Sequence, residues 1–274
     1  MPELPEVRVV RQELNKYVKN KIITDVHVFR DSFIKEIKPE EFKKAIVGET
    51  IIEITNYGKF LVFHLTNGKI ILSHLRMEGK YNFFDPAKTR FYHDYVIFEL
   101  DGNTNLHYND TRMFGTFHLR NVNNYLTIEP LSKLAKIPAE TDLNTFYDKL
   151  SKSKKAIKTL LLDQTFVVGL GNIYVDEVLF ATKIHPQTLA NKINKKQAKM
   201  LLETATDILD RSTELGGSSI NSYTSLNKKK GSFQNFLQVH TKVNQPCPRC
   251  KNKIIKIKVN GRGTYYCPVC QREQ

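Results

Sequence analysis

The chain has 274 residues and 31.7 kDa, with 42 Lys and Arg against 28 Asp and Glu, a formal net charge of +14 and a pI near 9.5. That length holds two cores, or one core with appended modules. No run approaches the ~20 apolar residues of a spanning helix and no secretory segment is visible, so a cytoplasmic protein facing a polyanion is the simplest class. The positive charge recurs at Lys152, Lys154, Lys155 and Lys158, at Lys192, Lys195, Lys196 and Lys199, and at Lys228, Lys229 and Lys230. A solvated surface in a lysine-rich proteome is the plainer reading of those clusters.

The first seven residues are Met1-Pro2-Glu3-Leu4-Pro5-Glu6-Val7. Loss of Met1 exposes Pro2 as a secondary amine, a nucleophile that titrates near pH ~8 and is therefore partly neutral in a cell. Glu3 and Glu6 are close enough in sequence to share its surroundings. Read alone, they are also ordinary helix-start carboxylates, favourable at the positive end of the dipole. Val7, Val10, Leu14 and Tyr17 recur at helical spacing, and strands are expected over 22–29, 50–54, 59–65, 69–74, 95–100 and 104–108. Asn67-Gly68 and Asp101-Gly102 lie between apolar runs as hairpin turns. Strands without alternating helices predict a β-sandwich or barrel-like first domain rather than a Rossmann unit.

Pro130 and Pro138 bracket a linker, after which helices are expected over 146–150, 154–162, 174–180 and 195–215. Gly169-Leu170-Gly171-Asn172 interrupts two of them; the glycines permit tight turns and Asn172 can cap the helix that follows. Bare N–H groups at such a start suit a DNA phosphate, although glycines between ordinary packed helices are common. The glycine- and lysine-bearing stretch 216–232 is either a loop that orders over a ligand or a linker.

All four cysteines form two C-x2-C knuckles, Cys247/Cys250 and Cys267/Cys270, separated by 16 residues. That spacing predicts a four-thiolate structural zinc ribbon with no open coordination position. Disulfides are the alternative, disfavoured by the lack of a secretory signal. Ile255, Ile257 and Val259 alternate with polar residues as one strand, and Gly261-Arg262-Gly263 is read as the reversal.

Together, the Pro2-Glu3-Leu4-Pro5-Glu6-Val7 start, the Gly169-Leu170-Gly171-Asn172-Ile173-Tyr174 turn and the terminal ribbon resemble the bacterial formamidopyrimidine-DNA glycosylases, over essentially the whole chain. The resemblance implies an α+β multidomain fold: an N-terminal catalytic β-sandwich (2–130), a linker (131–141), a helix-two-turn-helix domain (142–222) and a zinc-finger domain (223–274). It implies a bifunctional glycosylase and lyase that removes 8-oxoguanine opposite cytosine and ring-opened formamidopyrimidines from double-stranded DNA. It further implies one structural zinc per chain, and the protein is expected to be a monomer.

On that resemblance Pro2 attacks C1′ and forms a Schiff base, and Glu3 transfers protons at the sugar, with Glu6 ordering the terminus. Lys59, on a strand, lies near the lesion. His74, Lys158, Asn172, His240 and Arg262 are expected on DNA. Met77, Arg112 and Phe114 fill the duplex after the base is extruded, with Arg112 on the orphaned cytosine. The loop bearing Ser218, Ser219, Asn221 and Tyr223 caps the flipped purine. Three departures stand out: Arg8-Val9 where Glu-Thr is usual, His240-Thr241-Lys242 where the family carries tyrosine-glycine-arginine, and Asn221 where arginine is frequent. Oxidised-pyrimidine excision of the endonuclease VIII type and non-catalytic binding of damaged DNA are the competing readings. Leu4, where that branch carries glycine, and the Met77/Arg112/Phe114 set favour the purine branch.

Overall fold

The computed structural model describes residues 2–219, 226 and 230–273. Two compact units emerge: Met1–Ser132 with Leu215–Ser232, and Lys133–Glu214 with Phe233–Gln274. The segment Leu215–Ser232, divided by the sequence reading between the helical domain and the finger, packs with the first unit, where Leu226 joins the core.

The first unit opens with α1 (Leu4–Val18), whose Val7, Val10, Leu14 and Val18 are buried along one face. Two four-stranded antiparallel sheets follow. One runs β1 (Ile23–Val28), β6 (Asp94–Leu100), β7 (Thr104–Asn109), β5 (Lys80–Phe84); the other runs β2 (Ile51–Tyr57), β3 (Phe60–Leu65), β4 (Lys69–His74), β8 (Thr116–Asn121). Val26, Val96, Phe98, Leu106 and Tyr108 of the first sheet share a core with Ile54, Leu61, Phe63, Ile71 and Phe117 of the second. Three elements have no counterpart in the sequence reading: α2 (Pro39–Ile46), β5 and β8. Lys80-Tyr81-Asn82-Phe83-Phe84 lacks an extended apolar run, so pairing with β7 rather than periodicity makes it a strand.

Lys59 stands in the turn between β2 and β3 rather than on a strand. Tyr57 pairs with Phe60, leaving Gly58 and Lys59 as a two-residue hairpin loop, and Gly58 takes φ 52°. The tight turn needs that left-handed backbone, which glycine adopts without penalty.

Tyr108 governs where two loops leave the sheets. A Cβ added at Gly79, after β4, or at Gly115, before β8, would overlap its phenol oxygen. Both backbones therefore rest on one buried ring, and the loops carrying Met77 and Arg112–Phe114 share its support.

The second unit contains α3 (Leu143–Ser151), α4 (Ile157–Leu161), α5 (Asn172–Ala181) and α6 (Lys195–Glu214), followed by a hairpin of β9 (Ile255–Val259) and β10 (Arg262–Tyr266). Asp142 caps α3 by accepting the Thr145 N–H at 2.9 Å. The N-cap of α5 is Gly171, not Asn172, which occupies the first helical position. The hairpin turns at Asn260-Gly261, with φ 46° and 74°, the left-handed pair that an Asn-Gly turn favours. Arg262 consequently begins β10 opposite Val259 instead of forming the reversal. Among the described residues no helix is long and apolar enough to cross a membrane.

Gly115→Ala should destabilise the protein by about 1–3 kcal/mol through overpacking against Tyr108. Tyr108→Phe should cost far less, because its hydroxyl has no partner among the described residues. Urea denaturation of the two variants checks the contrast.

Candidate functional site

In the first unit the chain start is enclosed: Pro2 is buried and Glu3 is 2% exposed. Glu3 is the N-cap of α1, and Glu3 and Glu6 form a reciprocal capping box. Glu6 Oε2 accepts the Glu3 N–H at 2.8 Å, while Oε1 accepts the Ser218 N–H at 2.7 Å. One carboxylate thus holds the chain start and the segment that follows α6. The approach requires Gly217 at φ 78°, where a Cβ would stand 2.9 Å from Glu6 Oε1. The neck of this segment closes through Ser232 N–H to Leu215 O at 2.9 Å and Gly231 N–H to Ser219 Oγ at 2.9 Å. Asn221 and Tyr223 lie outside the described residues.

Lys59 is 5% exposed, and His74 ends β4 with 9% exposure. The His74 Nδ1 accepts the Arg76 N–H at 2.9 Å, which leaves its proton on Nε2. Burial, reinforced by the positive charge of Arg76, Lys59 and His118, holds the imidazole well below its usual titration range. It is a neutral N–H donor at neutral pH.

Met77 is half-buried in the turn after β4, and Arg112 and Phe114 are exposed. Their loop is organised by Asp110, which is fully buried and collects the N–H groups of Arg112 at 3.0 Å, Phe114 at 3.0 Å and Gly115 at 2.8 Å. The Arg112 guanidinium lies 5.0 Å from the Phe114 ring centre. Sequence reasoning passed over Asp110. An Asp two residues before an exposed Arg and followed by Gly is the Asx-turn signal that could have found it.

The second unit gathers Lys158, Asn172 and Arg262 around one strand. Asn172 Nδ2 donates to the Gly263 carbonyl at 2.9 Å, and Lys158 Nζ donates to the same oxygen at 3.2 Å. Arg262, the preceding residue, is exposed. Lys158 itself is fully enclosed and paired with Asp176 at 2.6 Å, so its ammonium is presented to protein oxygens rather than to solvent. His240 turns Nδ1 onto the other oxygen of Asp176 at 2.8 Å. Glu177 accepts three successive N–H groups, from Gln238, Val239 and His240, and burial still pushes its carboxyl upward. Asp176 and Glu177 were missed because two acids inside an apolar helix give no periodic signal.

Cys247, Cys250, Cys267 and Cys270 bring their sulfurs within 4.8 Å of one another. The separations Cys247–Cys270, 3.9 Å, and Cys250–Cys267, 3.4 Å, are far beyond a disulfide bond. They bracket the edge of about 3.8 Å that a tetrahedron with zinc–sulfur bonds of ~2.3 Å requires. The donor set fits one structural zinc. Around it Val239, Ile254 and Phe180 form a small core, and Arg249 donates to the Phe180 carbonyl at 2.6 Å.

Family models match along the chain: the formamidopyrimidine-DNA glycosylase N-terminal domain over residues 1–117, the H2TH domain of the same family over 126–224, and the zinc finger found in FPG and IleRS over 244–272. The formamidopyrimidine-DNA glycosylase of Mycoplasma mobile is 56% identical, covering 99% of both chains. That of Mycoplasmopsis pulmonis is 54% identical, covering 100% of this chain and 99% of the relative. A solved Lactococcus lactis FPG variant, in complex with DNA containing Fapy-dG, is 40% identical with a TM-score of 0.94 over 99% of this chain and 100% of the other.

Two measurements follow from the geometry. Metal analysis of reduced, folded protein should give one zinc per chain, and its chelation should lower the melting temperature, because the finger's core is built around the thiolates. His74→Gln should flatten the acid side of the stability curve. As pH falls below about 6.5 the unfolded histidine takes a proton that the folded one refuses, so wild type loses stability there and not above it. Thermal melts from pH 7.5 to 5.5 test this.

Proposed function

Because the chain belongs to the formamidopyrimidine-DNA glycosylase family, we propose that it excises oxidised purines, 8-oxoguanine opposite cytosine and formamidopyrimidines, and then cuts the DNA strand. The observation that carries this reading is the buried start of α1, where Glu3 and Glu6 cap each other next to Pro2. After Met1 is removed, the Pro2 amine attacks C1′ and the base departs with the bonding pair. Glu3 delivers a proton to the sugar ring oxygen as it opens. A secondary amine gives an iminium that has no N–H to lose, so it stays cationic and withdraws electrons. It acidifies the C2′ hydrogens, and elimination releases the 3′ and then the 5′ phosphate.

Lys59 and His74 bind backbone phosphate in the first unit; a buried cation and a neutral N–H donor both stabilise developing phosphate charge. Met77 and Phe114 occupy the vacated stack and Arg112 meets the orphaned cytosine. Backbone N–H groups at the start of α5 and the Arg262 guanidinium bind phosphate in the second unit. The loop beginning at Ser218 and Ser219 covers the extruded purine. Catalysis is assigned to the sandwich domain, 2–130, and DNA holding to the helical and finger domains. The protein acts as a cytoplasmic monomer.

Borohydride reduction on a duplex with one 8-oxoguanine opposite cytosine should yield a covalent adduct that mass mapping places at Pro2. An adduct at another residue, or none with 8-oxoguanine and one with oxidised thymine, overturns the purine reading. Glu3→Gln should slow base release by about 10²–10⁴-fold, read in single-turnover kinetics.

A further inference from the structure

The fully buried carboxylate of Asp176 is the hub of the second unit. Its Oδ1 receives Lys158 Nζ at 2.6 Å, and its Oδ2 receives His240 Nδ1 at 2.8 Å and the Tyr265 N–H at 3.2 Å. Lys158 also reaches the Gly263 carbonyl, which Asn172 holds as well. Gly263 O and Tyr265 N–H are two residues apart on β10 and therefore point to the same edge, the one not paired with β9. A two-stranded hairpin leaves that edge open. Here α4 and α5 close it with one carboxylate, one ammonium and one amide.

We propose that Asp176 is a positioning residue for DNA binding: it locks β10 onto α5 and so fixes the Arg262 guanidinium relative to Asn172. The proposal rests on the glycosylase reading above. Zinc bound by Cys267 would hold the far end of β10, and pairing with Val259 holds Arg262 within the hairpin, but the constraint that ties the strand's start to α5 is a separate one. Asp176 and Lys158 supply that constraint, and each depends on the other, since neither charge is solvated. His240 contributes the third contact.

The test compares Asp176→Asn, Lys158→Met and the double variant, each checked for one zinc per chain and for its melting temperature. Affinity for an uncleavable abasic-analogue duplex is read by fluorescence anisotropy, and kcat and KM are read on the 8-oxoguanine duplex. Asp176→Asn strands the lysine charge and should weaken duplex affinity and raise KM about tenfold, with kcat changed less than threefold. The double variant leaves no unpaired buried charge and should recover melting temperature, but it lacks the lock as well and should stay about as weak on the duplex as Asp176→Asn. Asp176→Glu, which keeps the charge, should retain more affinity than Asp176→Asn. Unchanged affinity in zinc-replete Asp176→Asn overturns the proposal. So does a double variant that binds the duplex as tightly as wild type. If Asp176→Asn loses zinc or fails to fold, the comparison rests on the double variant, and wild-type affinity there at full zinc equally overturns the proposal. Failure of wild type to turn over the 8-oxoguanine duplex would instead sink the glycosylase reading, leaving the anisotropy comparison to stand by itself.

Discussion

The first unit depends on one buried carboxylate, Glu6, which joins the start of α1 to the segment that follows α6. It accepts N–H groups from Glu3 and from Ser218, 212 residues away from Glu6 in sequence. Hydrogen bonds to a charged acceptor contribute roughly 1.5–3 kcal/mol each, enough to set the position of a short segment. The cap of α1 and the close approach of Gly217 to Glu6 both belong to this contact. The first turn of α1 is thereby tied to Gly217 and Ser218, far along the chain.

The second unit uses the same device with different partners. Asp176 and Glu177 are adjacent on α5, and each turns a buried carboxylate toward chain from the finger: Tyr265 and His240 for one, Gln238 to His240 for the other. Buried carboxylates are costly unless their lone pairs are filled, and here backbone N–H groups, Lys158 and His240 fill them. The four thiolates fix the knuckles, and the carboxylates fix how the finger's connecting strand meets the helix. Such buried pairs add little net stability, because desolvation offsets much of their attraction.

Much of the site could be read from the chain. Hairpin signals located β3–β4 and β6–β7, helical spacing located α1, and cysteine spacing located the zinc ligands. The misses have physical causes. Lys59 belongs to a turn because strand pairing, which is not local, ends at Tyr57 and Phe60. Asn172 yields the cap to Gly171 because its amide is drawn to the Gly263 carbonyl, 91 residues away. Lys158 stands in a lysine cluster and is expected on DNA from the resemblance, yet it is enclosed by its pairing with Asp176. Tyr108 and Asp110, which shape the loops of Met77 and Phe114, leave hydrophobic periodicity untouched, because packing against glycine and side-chain capture of backbone N–H groups have no period; Asp110 shows only as an Asx-turn signal.

The sequence by itself determined the chemistry that residue type and short spacing dictate: a proline at position 2, two carboxylates one helical turn apart, two thiolate knuckles and a succession of strands followed by helices. These depend on covalent order and on geometry within a few residues. Only the tertiary structure decided which charges are enclosed, which nitrogen of His74 carries the proton, and which carboxylate holds which distant N–H. Those outcomes are set by desolvation and hydrogen bonding between residues far apart along the chain, and no local pattern encodes them.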